Sequence, residues 1–359
     1  MLTQDDLAAG VAQGIITDTQ AAALGVLAAD RARARAAELG DEERFRFMRG
    51  FNDFFFASGV LLFGFGTKFF AGPTPIGNLI AAAMMWALAE LLVAHMRLVL
   101  PGILLALLFV TFVYVAVPVD WVDPAAIAQP RRPGLGYYLG GGVWFAAPAV
   151  TAVKGLVAAA AALLFYARFR LPFALLLVAG SLVLTVRMAT QRLLPDAPEA
   201  AQAAVLLLCG LTVFATAMTF DVSDRERVTR QADCAFWLHL LAAPLIVHSL
   251  IALTTPNAFQ VTGRSAATII AVVAVLTLVA VAIDRRALLV STLTYLGVAI
   301  SYALEAASVD QAVIFSGTLL VLGATVLALG VGWLPLRRRL IPLLSPDIAK
   351  HLPPVVPAA

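Results

Sequence analysis

Ten apolar runs divide the chain between Phe51 and Leu334, at 51–71, 76–95, 98–118, 146–167, 171–187, 200–220, 234–254, 265–283, 287–306 and 311–334. Each is close to the roughly 20 residues that an α-helix needs to cross a hydrocarbon core of about 30 Å, and 171–187 is the shortest. A helix satisfies its own backbone hydrogen bonds in such a core, so the runs are expected as transmembrane helices. Composition agrees. Hydrophobic residues make up 61% of the chain and charged residues 13%, against roughly 45–50% and 25% for a soluble domain. The mean hydropathy is +0.91. The expected fold is all-α: a polytopic transmembrane bundle of about ten spans over residues 47–336. A small helical hairpin precedes it at 1–46, and a basic, Pro-rich tail follows at 337–359.

The basic residues predict the orientation. With the N-terminus in the cytoplasm, 18 of the 25 Lys and Arg residues fall on the inner side and 7 on the outer side or within helices. That bias favours N-in, and an even number of spans places the C-terminus inside as well. The same bias accounts for the pI of about 9.1, so nucleic acid is not an expected partner. The expected location is a bacterial inner membrane, with the lipid bilayer as the chief partner. The one long outer connection, near 119–145, carries Pro124, Pro130 and Pro133, which forbid a continuous helix there. Its Trp121, Tyr137, Tyr138 and Trp144 suit headgroup level.

The first forty residues read differently. Thr3 and the acids after it suit a helix N-terminus. Gly14 can end that helix in a left-handed conformation, and Thr17-Asp-Thr-Gln20 matches a capping box opening a second helix. So short and Ala-rich a hairpin cannot hold a large core, which points to docking on a protein partner or on the membrane domain.

Between Asp221 and Leu250 a charged dozen gives way to an apolar run with Trp237, His239, Pro244 and His248. Ser223-Asp-Arg-Glu226 again fits a capping box, which predicts a helix from about Asp224 to 254, 31 residues or about 46 Å long. Its charges would pair along the helix, Glu226 with Arg230 and Arg230 with Asp233. Trp237 falls where an interfacial anchor belongs. At 100° per residue His248 shares a face with Trp237 and Pro244, whereas His239 lies opposite. Nine residues apart, the histidines do not suit a metal pair on one helix, and no metal or other cofactor is expected. His248 is the stronger functional candidate, expected to face the protein interior with Glu305 and Tyr302 as partners.

Other polar groups fall within the spans. Glu90 lies five residues before His95. Lys154, eight residues into its run, can snorkel outward. Ser291, Tyr295, Tyr302 and Glu305 share one helical face. Glu90, Lys154, His248, Tyr295, Tyr302 and Glu305 are therefore the candidate lining of a polar cavity, while Ser223, Glu226, Asp233, Trp237 and His239 are assigned to caps and interfaces. Hydrogen bonding between helices, with no solute, would make the same stripe.

The chain has no Walker phosphate loop, G-x-S-x-G elbow, H-E-x-x-H or C-x-x-C, so an enzyme is not expected. The segment "GVAQGIITDTQAAAL" resembles the start of a bacterial family of polytopic inner-membrane proteins that carry a short N-terminal helical hairpin, and "RFRFMRGFNDFFF" and "DCAFWLHLLAAPLIVH" resemble segments of such proteins. The resemblance implies location and topology and transfers no catalytic residue. Two functions remain open at this point: binding or passage of a small solute, and a non-enzymatic sensor or assembly role in which residues 1–46 contact a partner.

Overall fold

The computed structural model describes residues 4–27, 51–72, 74–118, 148–254, 263–306 and 310–355. The outer connection near 119–145 lies outside these residues, as do the side chains of Ser291 and Tyr302. The described residues are all-α, without a strand, and form two compact units, one of residues 1–45 with 354–359 and one of residues 46–353.

In the first unit α1 (Gln4–Ala12) ends at a turn in which Gly14 has φ 69°. A second helix, α2, covers residues 18–27. Its start is the expected capping box. The Thr17 N–H donates to Gln20 Oε1 at 2.9 Å, and the Gln20 N–H donates to Thr17 Oγ1 at 3.3 Å.

The second unit is a helix bundle. Its elements are α3 (Phe51–Ala71), α4 (Pro75–Ala89), α5 (Val99–Ala116), α6 (Pro148–Phe169), α7 (Phe173–Leu193), α8 (Glu199–Ser223), α9 (Arg230–Thr254), α10 (Gly263–Ile283), α11 (Leu289–Ala306) and α12 (Gln311–Leu340). Eight helices among the described residues are long and apolar enough to cross a membrane, and two further apolar stretches, Ala267–Ile283 and Arg286–Ser301, are shorter. The α5 helix is central, with 61% of its apolar window buried, whereas α12 is peripheral at 6%. Large apolar side chains such as Phe70, Leu62 and Val331 are exposed. A soluble protein rarely tolerates so extensive an apolar surface, but hydrocarbon suits it. Hydroxyls on the spans are satisfied locally: Ser58, Thr67, Thr212 and Thr277 each donate to the carbonyl four residues earlier.

Packing is closest where glycine lets backbones approach. Gly155 of α6 meets α7, and Gly210 of α8 meets Leu245 and Ile246 of α9. Around α5 an aromatic cluster fills the core, with Trp86 5.3 Å from Phe109 and 5.0 Å from Phe169 between ring centres.

Three boundaries differ from the sequence reading. The run cut at 187 continues as α7 to Leu193, because Arg187 and Arg192 interrupt hydropathy without interrupting a helix. The predicted helix from 224 to 254 begins only at Arg230. Ser223 is the last residue of α8, not the cap of the next helix; its hydroxyl donates to the Phe220 carbonyl at 2.8 Å and to Gln231 Oε1. Glu226 lies exposed in the intervening turn and so pairs with nothing along a helix there. Finally, the segment expected as a separate tail packs onto the bundle through residue 353, with Leu352 buried beside Trp333.

Candidate functional site

Of the candidate cavity residues, His248 and Tyr295 meet, while Glu90 and Lys154 contact other partners. Glu90 opens a π-helical turn, Glu90–His95, at the end of α4 and pairs with Arg168 at 2.5 Å. Lys154 is fully buried, with Nζ 5.2 Å from the centre of the Tyr114 ring, so it does not snorkel outward. The cation meets an aromatic face from α5 instead. His248 is exposed on α9 and shares a hydrogen bond with the Tyr295 hydroxyl, Nδ1 to Oη 2.7 Å. That bond joins α9 to α11, but the exposed His248 does not face the protein interior as expected, and its partner is Tyr295 and not Glu305, which is exposed too.

The helical-phase argument passed over the buried ionic centre. Asp221 at the end of α8, His239 on α9 and Arg285 in the turn after α10 are each buried. His239 Nε2–H donates to Asp221 Oδ2 at 2.8 Å, and the Arg285 guanidinium donates to both carboxylate oxygens and, at 3.1 Å, to the Ala232 carbonyl. His239 Nδ1 has no hydrogen-bond partner among the described residues, and the ring packs edge-on against Phe214 at 5.2 Å. A histidine–carboxylate pair orients a general base in many enzymes. Here the site is fully buried, so the pair and Arg285 serve as a tie between α8, α9 and the turn after α10.

A second set of ties surrounds it. Arg227 donates to Asp284 Oδ2 at 3.2 Å and to the Ile283 carbonyl at 2.9 Å. Asp284 Oδ1 accepts the Trp333 indole N–H at 2.6 Å. Arg225 donates to the Leu352 carbonyl, and Arg337 to that of Pro353 at 2.5 Å. The turn between α8 and α9 is therefore fastened to the end of α10 and to the C-terminal segment, both of which α12 also holds. The charges of 221–233, which look compensated within one helix, are largely satisfied by distant chain.

Asp224 sets the shape of that turn. Its carboxylate accepts from the Val228 N–H at 3.2 Å, the Thr229 N–H at 2.9 Å and the Thr229 hydroxyl at 2.6 Å. Burial pushes its pKa up, but the donors from Thr229 and Val228 outweigh burial and hold it below the ordinary aspartate value of 3.8. A carboxyl lowered on folding contributes stability that is complete above its unfolded pKa and is lost as pH falls through the folded one. Asp224→Ala should therefore lower stability by about 1–2 kcal/mol at pH 7. The gap from the parent should close as pH falls below the ordinary aspartate value. Thermal unfolding of both proteins across the acid range checks this, and a gap independent of pH would remove the carboxylate from the explanation.

A cavity of about 580 Å³ is bounded by the π-turn of α4, the start of α5, the α6–α7 turn and the start of α9. Arg97, Arg168, Arg170 and Arg230 line it with Asp233 and Trp237. Arg97 and Arg170 have φ 56° and 53°, a left-handed conformation that closes their helices where glycine is the usual choice. Arg230 donates to the Arg170 carbonyl at 3.5 Å. Trp237, expected as an interfacial anchor, stacks edge-on against Phe173 at 4.8 Å and forms the apolar wall. Asp233 is half-buried at the rim. The sequence held a signal for this site, since Arg97, Arg168, Arg170 and Arg230 all fall between apolar runs on one side of the predicted topology, but it did not show that these connections meet. Among the described residues no three His, Cys, Asp or Glu side chains cluster as metal ligands. Compared with known protein families, with curated proteins and with solved structures, the chain matches none.

Proposed function

We propose that this chain is an integral protein of a bacterial inner membrane, with ten spans and both ends in the cytoplasm, that binds a small anionic solute at its arginine-lined pocket and does not pass it across the bilayer. Four guanidinium groups around one cavity carry this reading, because they attract and orient an anion through charge-assisted hydrogen bonds. Binding is favoured over passage because Glu90 is held by Arg168, Lys154 by the Tyr114 ring and His248 by Tyr295, so each candidate polar group is engaged at its own contact. The resemblance to polytopic inner-membrane proteins belongs to the same proposal.

Topology is testable with reporter fusions. Fusions after Arg192 and after Gly263 should report outside, and one after Arg286 inside; the reverse pattern would sink the orientation. Binding is tested by equilibrium dialysis of the purified protein against a panel of small anions, with a flux assay on proteoliposomes alongside. The reading expects arginine-dependent binding of at least one anion and no accelerated flux. Flux of a trapped anion, or no arginine-dependent binding, would refute it.

A second reading rests on residues 1–46, for which we propose a docking role. Ile15, Val26 and Leu27 are exposed there on a short helical pair, an apolar face that a protein partner would cover.

A further inference from the structure

We infer that the ligand of the arginine-lined pocket is the phosphate-bearing headgroup of an anionic lipid. This deepens the binding reading above and rests on it. Three observations point to the chemistry.

The first is charge. Arg97, Arg168, Arg170 and Arg230 line the cavity against one lining carboxylate, Asp233, while Glu90 pairs with Arg168. Among the described residues neither Arg97 nor Arg170 makes an ion pair, so the pocket holds an excess of positive charge. Planar guanidinium forks match the oxygens of a phosphate and grip it in pairs.

The second is the backbone. Four non-glycine residues of the described chain have a left-handed φ: Arg97, Arg170, Arg227 and Asp284. Each is disfavoured there relative to glycine. For Arg227 and Asp284 the use of the side chain is visible, because they bond each other and Asp284 also holds Trp333. Arg97 and Arg170 instead flank the cavity, and binding an anion there gives them a comparable use.

The third is shape and wall. A volume of about 580 Å³ lies in the range that takes a drug-sized ligand. It is far too large for a bare phosphate. Beside the arginines the lining includes the apolar side chains of Leu98, Val99, Ile103, Phe173 and Trp237. A ligand with an anionic head and an apolar continuation matches both kinds of lining. Basic pockets between transmembrane helices recognise phospholipid headgroups by this combination.

The test uses the full chain in neutral detergent micelles, with thermal stabilisation as the readout. The probes are dihexanoyl phosphatidylglycerol, dihexanoyl phosphatidylcholine, inorganic phosphate and succinate. Phosphatidylglycerol should stabilise the parent saturably, and phosphatidylcholine, whose choline cancels the phosphate charge, should not. The double variant Arg97→Gln/Arg170→Gln should bind about thirtyfold more weakly, from about one kcal/mol per arginine. Arg192→Gln, at the far end of α7, should bind as the parent does. Should the glutamine pair fail to fold, Arg97→Lys/Arg170→Lys keeps the charge and removes the forks, and should still bind more weakly than the parent. Equal binding of both phospholipids, or binding indifferent to these arginines, would overturn the proposal. An arginine-dependent response to inorganic phosphate alone would uphold phosphate recognition and assign the source to a free anion. A preference for succinate would overturn phosphate while leaving the broader anion-binding reading standing.

Discussion

Arg285→Met should lower the stability of the bundle by about 3–5 kcal/mol, the largest effect expected of any single substitution in this chain. The physical reason is asymmetry. Two opposite charges out of water sit near balance when paired, but removing one leaves the other buried and uncompensated. Asp221 has only 4% of its side chain exposed and would keep its charge with His239 as its remaining donor. The Ala232 carbonyl would lose a donor too. The double variant Asp221→Leu/Arg285→Met removes both charges and should recover much of the loss, since an apolar replacement of a buried pair is often close to neutral. Thermal or denaturant unfolding of the parent, both single variants and the double variant gives the coupling directly. A single variant within about 1 kcal/mol of the parent, or a double variant with the summed losses of its parts, would show that the pair is not a tie.

Gly155→Leu is the second large effect, expected at about 2–3 kcal/mol or more. A β-carbon at Gly155 would stand 2.5 Å from Thr185 Oγ1, 3.1 Å from the Ser181 carbonyl and 3.3 Å from the Thr185 amide nitrogen. Two of those three are backbone atoms of α7 and cannot rotate away. The Thr185 hydroxyl is itself engaged, donating to the Ser181 carbonyl at 2.9 Å and the Ala152 carbonyl at 3.3 Å. The helices must therefore separate, losing packing along the interface. Gly155→Ala should already destabilise, although alanine is the better helix former by about 1 kcal/mol. Gly59 is the control, because a β-carbon there meets nothing within 4 Å, and Gly59→Ala should be neutral or stabilising. Equal tolerance of alanine at both positions would show that close approach at Gly155 is unimportant.

The signals that the sequence carried best were local. The capping box at Thr17–Gln20 and the left-handed Gly14 are present because each needs only the residues next to it. The apolar runs were legible because span length and hydropathy are properties of a single segment. The capping box at Ser223–Glu226 failed although its residues fit as well. Asp224 takes the Val228 and Thr229 donors for a turn, and Arg225 and Arg227 bond partners 127 and 57 residues away. A local pattern loses when distant acceptors hold its members elsewhere.

The amino-acid sequence by itself determined the helical class and the apolar segments, because hydropathy and span length do not depend on which helices become neighbours. Tertiary structure alone decided which polar groups meet. Asp221 and His239 are 18 residues apart and Asp221 and Arg285 64 apart, and phase along one helix assigned the greater importance to His248 because it ignores what packs on the opposite face. Lys154 likewise reads in sequence as able to snorkel outward, and only its burial against Tyr114 of α5 shows that it stays inside. A buried charge persists only where a partner from another segment compensates its lost hydration, and that compensation is created by packing, after the local elements have formed.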